Sequence, residues 1–278
     1  LLKHCADAPL VLFYKGILDA SDSKNIAIVG TRKATEMGKK RVDTLLHELA
    51  ETGYHPNIIS GLAYGIDITA HTACMHYGLK AQAVLGHGLH MVYPASHKSM
   101  AEKILEQGGA LISEFPTCAQ ILPTNFLQRN RIVAGMSEAI LVAESPIKGG
   151  AMSTARQALS YNRDVMAIPG RPEDPTFAGC NLLIKQNIAA LVENIKDLIR
   201  ILNWPPLPTG PYQMSLDLFP VTNNEVLLME TLLKRGEQNI DQLHQLTRIP
   251  VHDLSVLLLK LELEGHVMQL PGNCYTLI

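Results

Sequence analysis

The sequence predicts an α/β fold: a doubly wound, mostly parallel sheet followed by a small C-terminal winged-helix domain. Three observations lead there. Short apolar runs such as Asn25-Ile-Ala-Ile-Val29, Asn57-Ile-Ile59 and Ala139-Ile-Leu-Val-Ala143 are continuous rather than alternating, as strands covered on both faces must be. Most are followed by a turn containing glycine and then by a helical pattern, the alternation that builds parallel sheets. A proline-rich break, Trp204-Pro-Pro-Leu-Pro-Thr-Gly-Pro211, then precedes three amphipathic segments and a terminal hairpin pattern.

In chain order, residues 1–24 are a lead-in, with Leu10-Val-Leu-Phe-Tyr14 read as a strand and Lys15-Gly16 as a turn. The strand ending at Val29 leads through Gly30-Thr31-Arg32 to a helix. Thr35 is its expected N-cap, Val42, Leu45, Leu46 and Leu49 form its apolar stripe, and Gly53 ends it. The next strand delivers Ser60-Gly-Leu-Ala-Tyr-Gly-Ile-Asp-Ile-Thr-Ala-His71, a glycine turn that opens a helix. Strands over 81–85, 109–115, 139–143, 164–168 and 189–192 then alternate with helices over 96–107, 125–134, 153–161 and 194–202. The α/β domain is assigned 1–203, the linker 204–220 and the winged helix 221–278. Val226, Met229 and Leu233 mark its first helix, Ile240, Leu243 and Leu246 its second, and Val251, Leu254, Leu258 and Leu261 its third.

Composition narrows the function. With 47% hydrophobic and 18% charged residues, the chain fills a core and is not disordered. A formal net charge of -2 excludes coating of a polyanion by bulk charge but leaves room for a local basic pocket. The five cysteines (Cys5, Cys74, Cys118, Cys180, Cys274) are odd in number and lack a C-x-x-C, which fits reduced thiols in a cytoplasmic protein. There is no signal-peptide pattern and no membrane-spanning run. The chain starts at Leu1, not Met, so a preceding segment is expected.

Several chemistries lack their signatures. Gly30 stands alone where a dinucleotide fingerprint needs G-x-G-x-x-G, and Gly86-x-Gly88 has Met91 at the third position. No P-loop, H-E-x-x-H or G-x-S-x-G occurs, and His87, His90 and His97 read as loop histidines rather than a zinc site. We therefore expect no cofactor, no metal and no catalytic residue. What stands out is glycine and arginine at strand ends: Gly30-Thr31-Arg32, the turn Ser60-Gly61-Leu62-Ala63-Tyr64-Gly65, Arg129-Asn130-Arg131 and Gly149-Gly150. Guanidinium groups grip phosphate bidentately and glycine N–H groups line it, so together these turns point to a chain of phosphates. The competing reading pairs the arginines with Glu36, Glu114 or Glu144. Asp67 and His71, four apart on one helix, are read as framework, the carboxylate orienting the imidazole.

These stretches resemble the DNA-processing protein A (DprA/Smf) family, also called DNA-protecting protein. The matching pieces are Ala27-Ile-Val-Gly-Thr-Arg32, Ser60-Gly-Leu-Ala-x-Gly-Ile-Asp67 with Ala70-His71, Ala83-Val-Leu-Gly-x-Gly-Leu89 with Tyr93-Pro94, Phe126-x-x-Arg-Asn-Arg-Ile132, Ala167-Ile-Pro-Gly170 and Gly179-Cys-Asn-Leu-Leu-Ile184. The resemblance implies an extended Rossmann domain that binds single-stranded DNA without sequence preference. It also implies a homodimer, not an enzyme, that loads RecA recombinase onto incoming DNA in natural transformation, and a small helical domain upstream. Arg32 is then the expected phosphate-gripping residue. This chain has Thr31 where the family commonly has Ser, Tyr64 where many members have Lys, and Gly149-Gly150-Ala151 for a Ser-Gly-Ser turn. Tyr64 could therefore stack on a base.

Two alternatives remain. Related Rossmann enzymes cleave nucleotide N-glycosidic bonds through P-G-G-x-G-T, whereas Pro169-Gly170 continues here as Arg171-Pro172. A duplex-reading winged-helix regulator is disfavoured, because 221–278 holds four Lys/Arg against seven Asp/Glu and its third helix is leucine-rich. That domain is expected to contact protein, or the body of its own chain.

Overall fold

The computed structural model describes residues 1–18, 24–204, 223–263, 265–270 and 274–277. The chain folds into two units, Leu1–Leu207 and Pro208–Ile278. In the first, eight strands form one sheet: β1 (Phe13–Gly16), β2 (Asn25–Gly30), β3 (Asn57–Ser60), β4 (Ala81–Leu85), β5 (Ala110–Ser113), β6 (Ala139–Glu144), β7 (Asp164–Ala167) and β8 (Ala190–Leu191). Their order is β1-β5-β4-β3-β2-β6-β7-β8, parallel except for the β1 edge. Successive strand residues feed opposite faces. Ile26, Ile28 and Ile58 enter one core with α1 (Glu36–Glu51), α2 (Ile66–Tyr77), α3 (Lys98–Glu106) and α7 (Ile195–Ile201). Ala27, Val29 and Ile59 enter the other with α4 (Pro123–Met136), α5 (Gly150–Ser160) and α6 (Ala178–Lys185). This is the doubly wound arrangement that the apolar strands predict.

The chain goes from β2 out to one side through β3, β4 and β5, then returns to β2's other flank with β6. The carboxyl ends of β2 and β6 therefore form a topological switch point, where open α/β sheets leave a crevice. The loop after β2 is pinned there. Thr31 N–H donates to Glu144 O at 2.7 Å, and the buried Glu144 carboxylate accepts from Thr35 N–H and Thr35 Oγ1. Thr35 in turn caps α1 by accepting from Gly38 N–H at 3.1 Å, as expected.

Some boundaries move. The edge strand runs over Phe13–Gly16 rather than 10–14, because Lys15 and Gly16, read as a turn, pair with Leu111 and Ala110 of β5. Helix α5 starts at Gly150 instead of 153, and α4 begins with Pro123, which needs no N–H donor in a first turn. Trp204, placed in the linker by its prolines, is only 7% exposed and belongs to the first core. Its ring meets Tyr54 at 5.0 Å, its Nε1–H donates to Glu138, and Lys24 Nζ lies over both rings. Burial of a large aromatic with its donor satisfied outweighs the local break. The remaining linker, 205–220, lies outside the described residues.

The second unit is a winged helix. It comprises α8 (Asn223–Arg235), β9 (Gln238–Asn239), α9 (Ile240–Thr247), α10 (Val251–Leu263), β10 (Val267–Leu270) and β11 (Cys274–Leu277), with sheet order β10-β11-β9. The expected hairpin is the antiparallel β10–β11 pair, while its turn, 271–273, lies outside the described residues. The stripe of α8 differs from the one its apolar spacing suggests. Leu228 and Leu232 fill the core with Leu243, Leu254, Leu258 and Leu261, whereas Leu233 is 73% exposed and Val226 is exposed. Leu246 and Val251 are likewise outside that core. The face of α8 is set by Glu225, buried and paired with Lys260 at 2.9 Å.

Candidate nucleic-acid interface

A cleft of about 310 Å³ opens at the switch point. Gly30, Thr31 and Arg32 line it from β2, Gly61 and Ala63 from the turn after β3, Arg129 and Asn130 from α4, and Gly149 and Gly150 from the start of α5. Nine of the residues singled out in the sequence thus converge on one place.

The α5 end is the electropositive floor. No side chain among the described residues caps it, so Gly150 and Ala151 bring the positive dipole end of the helix to the cleft, while Met152 N–H donates to Gly149 O at 3.1 Å. Arg32 is exposed and lines the same cleft, its guanidinium 5.4 Å from the Phe126 ring centroid, and it makes no ion pair among the described residues. The competing pairing with Glu36 is not formed, since Glu36 bonds Lys39.

The turn after β3 works differently from the anion cradle the sequence suggests. Gly61 N–H and Ala63 N–H donate to Asp67 Oδ2 at 3.1 and 3.4 Å, and Ile66 N–H donates to Thr31 O. Those donors are satisfied within the protein. Ser60 and Leu62 are buried and absent from the cleft lining, with the Ser60 hydroxyl donating to Ile28 O at 2.6 Å. Gly65 takes φ +75°, and a Cβ there would run into Thr31 O, so the turn closes onto β2 only with glycine. Tyr64 is half-exposed and outside the lining, its ring edge on His97.

Arg129 is buried beneath this turn. It donates to Gly61 O at 2.7 Å and to Val84 O, and a Cβ on Gly61 would run into its guanidinium. Burial pulls its pKa down to about 10, opposed by Asp67, with Arg32 lowering it further. Burial also raises Asp67 above the usual carboxylate range, against the pull of Arg129. The two arginines thus place positive potential at the cleft, one as a free head and one from below.

Two further expectations are corrected, beyond Ser60, Leu62, Tyr64 and Gly65, which also stand outside the lining. Arg131 does not line the cleft; it pairs with Glu114 and with Asp7 O. Two residues on from Arg129, it points about 200° around α4. The expected hydrogen bond between Asp67 and His71 does not form either. Asp67, in the first turn of α2, reaches back to the loop, and neither ring nitrogen of the buried His71 meets a hydrogen-bond partner among the described residues.

Lys148 and Phe126 line the cleft without having been assigned to it. The signal for Lys148 was its place directly before Gly149-Gly150, where a cation adjoins a helix start. Among the described residues, no group of three or more His, Cys, Asp or Glu could hold a metal ion. None of the described helices is long and apolar enough to cross a membrane.

The model of the DNA recombination-mediator protein A family matches residues 1–203, and that of the DprA winged helix domain matches 228–273. The chain belongs to this family. Protein Smf of Escherichia coli (strain K12) is 36% identical over 274 residues, covering 96% of this chain and 71% of the relative. DNA processing protein DprA of Streptococcus pneumoniae is 37% identical over 198 residues, covering 71% and 68%. The X-ray structure of DNA processing protein A from Streptococcus pneumoniae matches with TM-score 0.66 at 36% identity, over 72% of this chain and 69% of that one. A structure of DNA processing protein A from Helicobacter pylori, solved for its single-stranded DNA binding mode, matches with TM-score 0.64 at 30% identity, over 73% and 91%.

Proposed function

We propose that this chain binds single-stranded DNA without sequence preference, its phosphates held in the switch-point cleft. The observation that carries this is the joining in one cleft of Arg32, Lys148 and the start of α5, with no ion pair to Arg32 and no side-chain cap on α5 among the described residues. Each offers charge or N–H donors to phosphate oxygens, and contacts of that kind carry no sequence preference. The Helicobacter pylori relative, whose single-stranded DNA binding mode has been solved, supports the same ligand. Arg32→Ala is expected to weaken binding of oligo-dT about tenfold and to reduce the slope of log affinity against log salt by about one. Equal affinity and slope in a folded variant would remove the cleft from the function.

The family resemblance extends the proposal to a homodimer that loads RecA onto the bound strand, acting as a mediator rather than an enzyme. Co-sedimentation of RecA with oligo-dT should rise when this chain is added, and no rise would leave strand binding alone.

The winged helix is proposed to contact protein rather than duplex DNA. The outward face of α10 carries His252, Ser255, Val256 and Leu259, with no arginine, and Lys260 is engaged by Glu225. The whole chain should prefer a single strand over duplex of equal length, and Val256→Glu should change neither affinity. Tight duplex binding lost in Val256→Glu would make α10 a groove reader.

A further inference from the structure

We propose that the cleft has an aromatic rim, formed by Tyr64 and Tyr93, on which bases stack as the strand leaves the phosphate site. This rests on the strand-binding reading above and gives it a direction, across the segment 93–97 and away from α5. Tyr64 is 51% and Tyr93 49% exposed, in a chain with only 5% aromatic residues. Both adjoin the cleft, Tyr64 through its lining neighbour Ala63 and Tyr93 through ring contact with Phe126 at 5.7 Å between centroids.

Both are also held in place. The Tyr64 hydroxyl shares a hydrogen bond of 3.1 Å with Ser96 Oγ, and its ring stands edge-on to His97 at 4.8 Å and 70°. His97 is buried and its Nδ1 lies 2.9 Å from Leu62 O; a carbonyl only accepts, so Nδ1 carries the proton and fixes the ring. The backbone N–H of Tyr93 donates to His87 Nε2 at 3.1 Å, tying its main chain to a buried ring. A ring already restrained by its own protein loses little freedom when a base stacks on it, whereas a mobile one must be ordered first. Exposed aromatics elsewhere, such as Phe13 and Tyr14 on the edge strand, lie on β1, away from the cleft lining. Every base has a π face, so a rim of this kind adds affinity without sequence preference, as the phosphate cleft does.

The two contributions separate by salt and by bases. For the Tyr64→Leu/Tyr93→Leu protein, which keeps apolar bulk against His97 and Phe126, affinity for oligo-dT of about fifteen nucleotides should fall about tenfold with an unchanged salt slope. An abasic phosphodiester strand of the same length should be bound equally by that variant and the parent. Tyr64→Phe/Tyr93→Phe should restore dT binding. Emission of Trp204, the one tryptophan, reports that each variant is folded. Unchanged dT affinity in the leucine variant, or an equal loss on the abasic strand, overturns the rim. The Arg32→Ala arm tells this failure from that of the cleft: an Arg32→Ala protein that binds as the parent does removes cleft and rim together.

Discussion

Replacing Asp67 by alanine is expected to destabilise the protein by about 3–5 kcal/mol, read as a lowered urea midpoint with an unchanged m-value. Arg129 is buried beneath the turn after β3, with Asp67 as the carboxylate whose charge favours its ionised form. For both groups desolvation is the largest influence, pushing Asp67 up and Arg129 down. Both charges are therefore costly to bury, and removing Asp67 takes from Arg129 the opposite charge that favours its ionised form. Asp67→Ala also takes the acceptor from Gly61 N–H and Ala63 N–H. The double variant Asp67→Leu/Arg129→Met removes both charges and should lose much less than the two single losses added together. It will not regain full stability, because Gly61 O and Val84 O lose their donor. Additive losses would mean that the two side chains are not coupled. Strand binding should fall in Asp67→Ala even where it is folded, because the turn carrying Gly61 and Ala63 is released from α2.

The fold was legible because its rules are periodic. Continuous apolar runs gave the buried strands, and glycines at their ends marked the side of the sheet where the cleft opens. The errors fall where a tertiary partner decides. In Arg129-Asn130-Arg131 both arginines carry the same chemistry, but α4 turns about 100° per residue, so only Arg129 faces the cleft while Arg131 meets Glu114. The helical period by itself separates those two positions. The Asp67–His71 spacing suggested a contact, yet an acidic residue in a first turn can instead cap loop N–H groups, and here it does. On α8 the run Val226-Leu-Leu-Met229 permits two stripes. The one that is buried contains Glu225, which no hydrophobic pattern selects, because Lys260 neutralises it from α10. The local prolines hid the burial of Trp204, since its partners Tyr54, Glu138 and Lys24 are far away in sequence.

Acid should unfold this protein through His71. Its ring is fully buried, neither nitrogen has a hydrogen-bond partner among the described residues, and burial together with the charge of Arg129 and the neighbouring His97 lowers its pKa to about 3. In the unfolded chain it would titrate at about 6.5. Below that pH the unfolded state binds a proton that the folded state refuses, so folding stability falls as pH falls. With the folded pKa near 3, the contribution is complete above pH 6.5 and is lost progressively toward 3. One such proton removes about 3 kcal/mol between pH 8 and pH 4. His87, also lowered by burial, adds to the slope. The His71→Leu variant isolates the effect. Near pH 8 it should be as stable as the parent, or more so, because it removes two unsatisfied polar atoms at little change in volume. Toward pH 4 its urea midpoint should fall by much less than the parent's. Parallel midpoint-against-pH curves for the two proteins would show that His71 has a proton acceptor or donor in solution and is not the group that acid attacks.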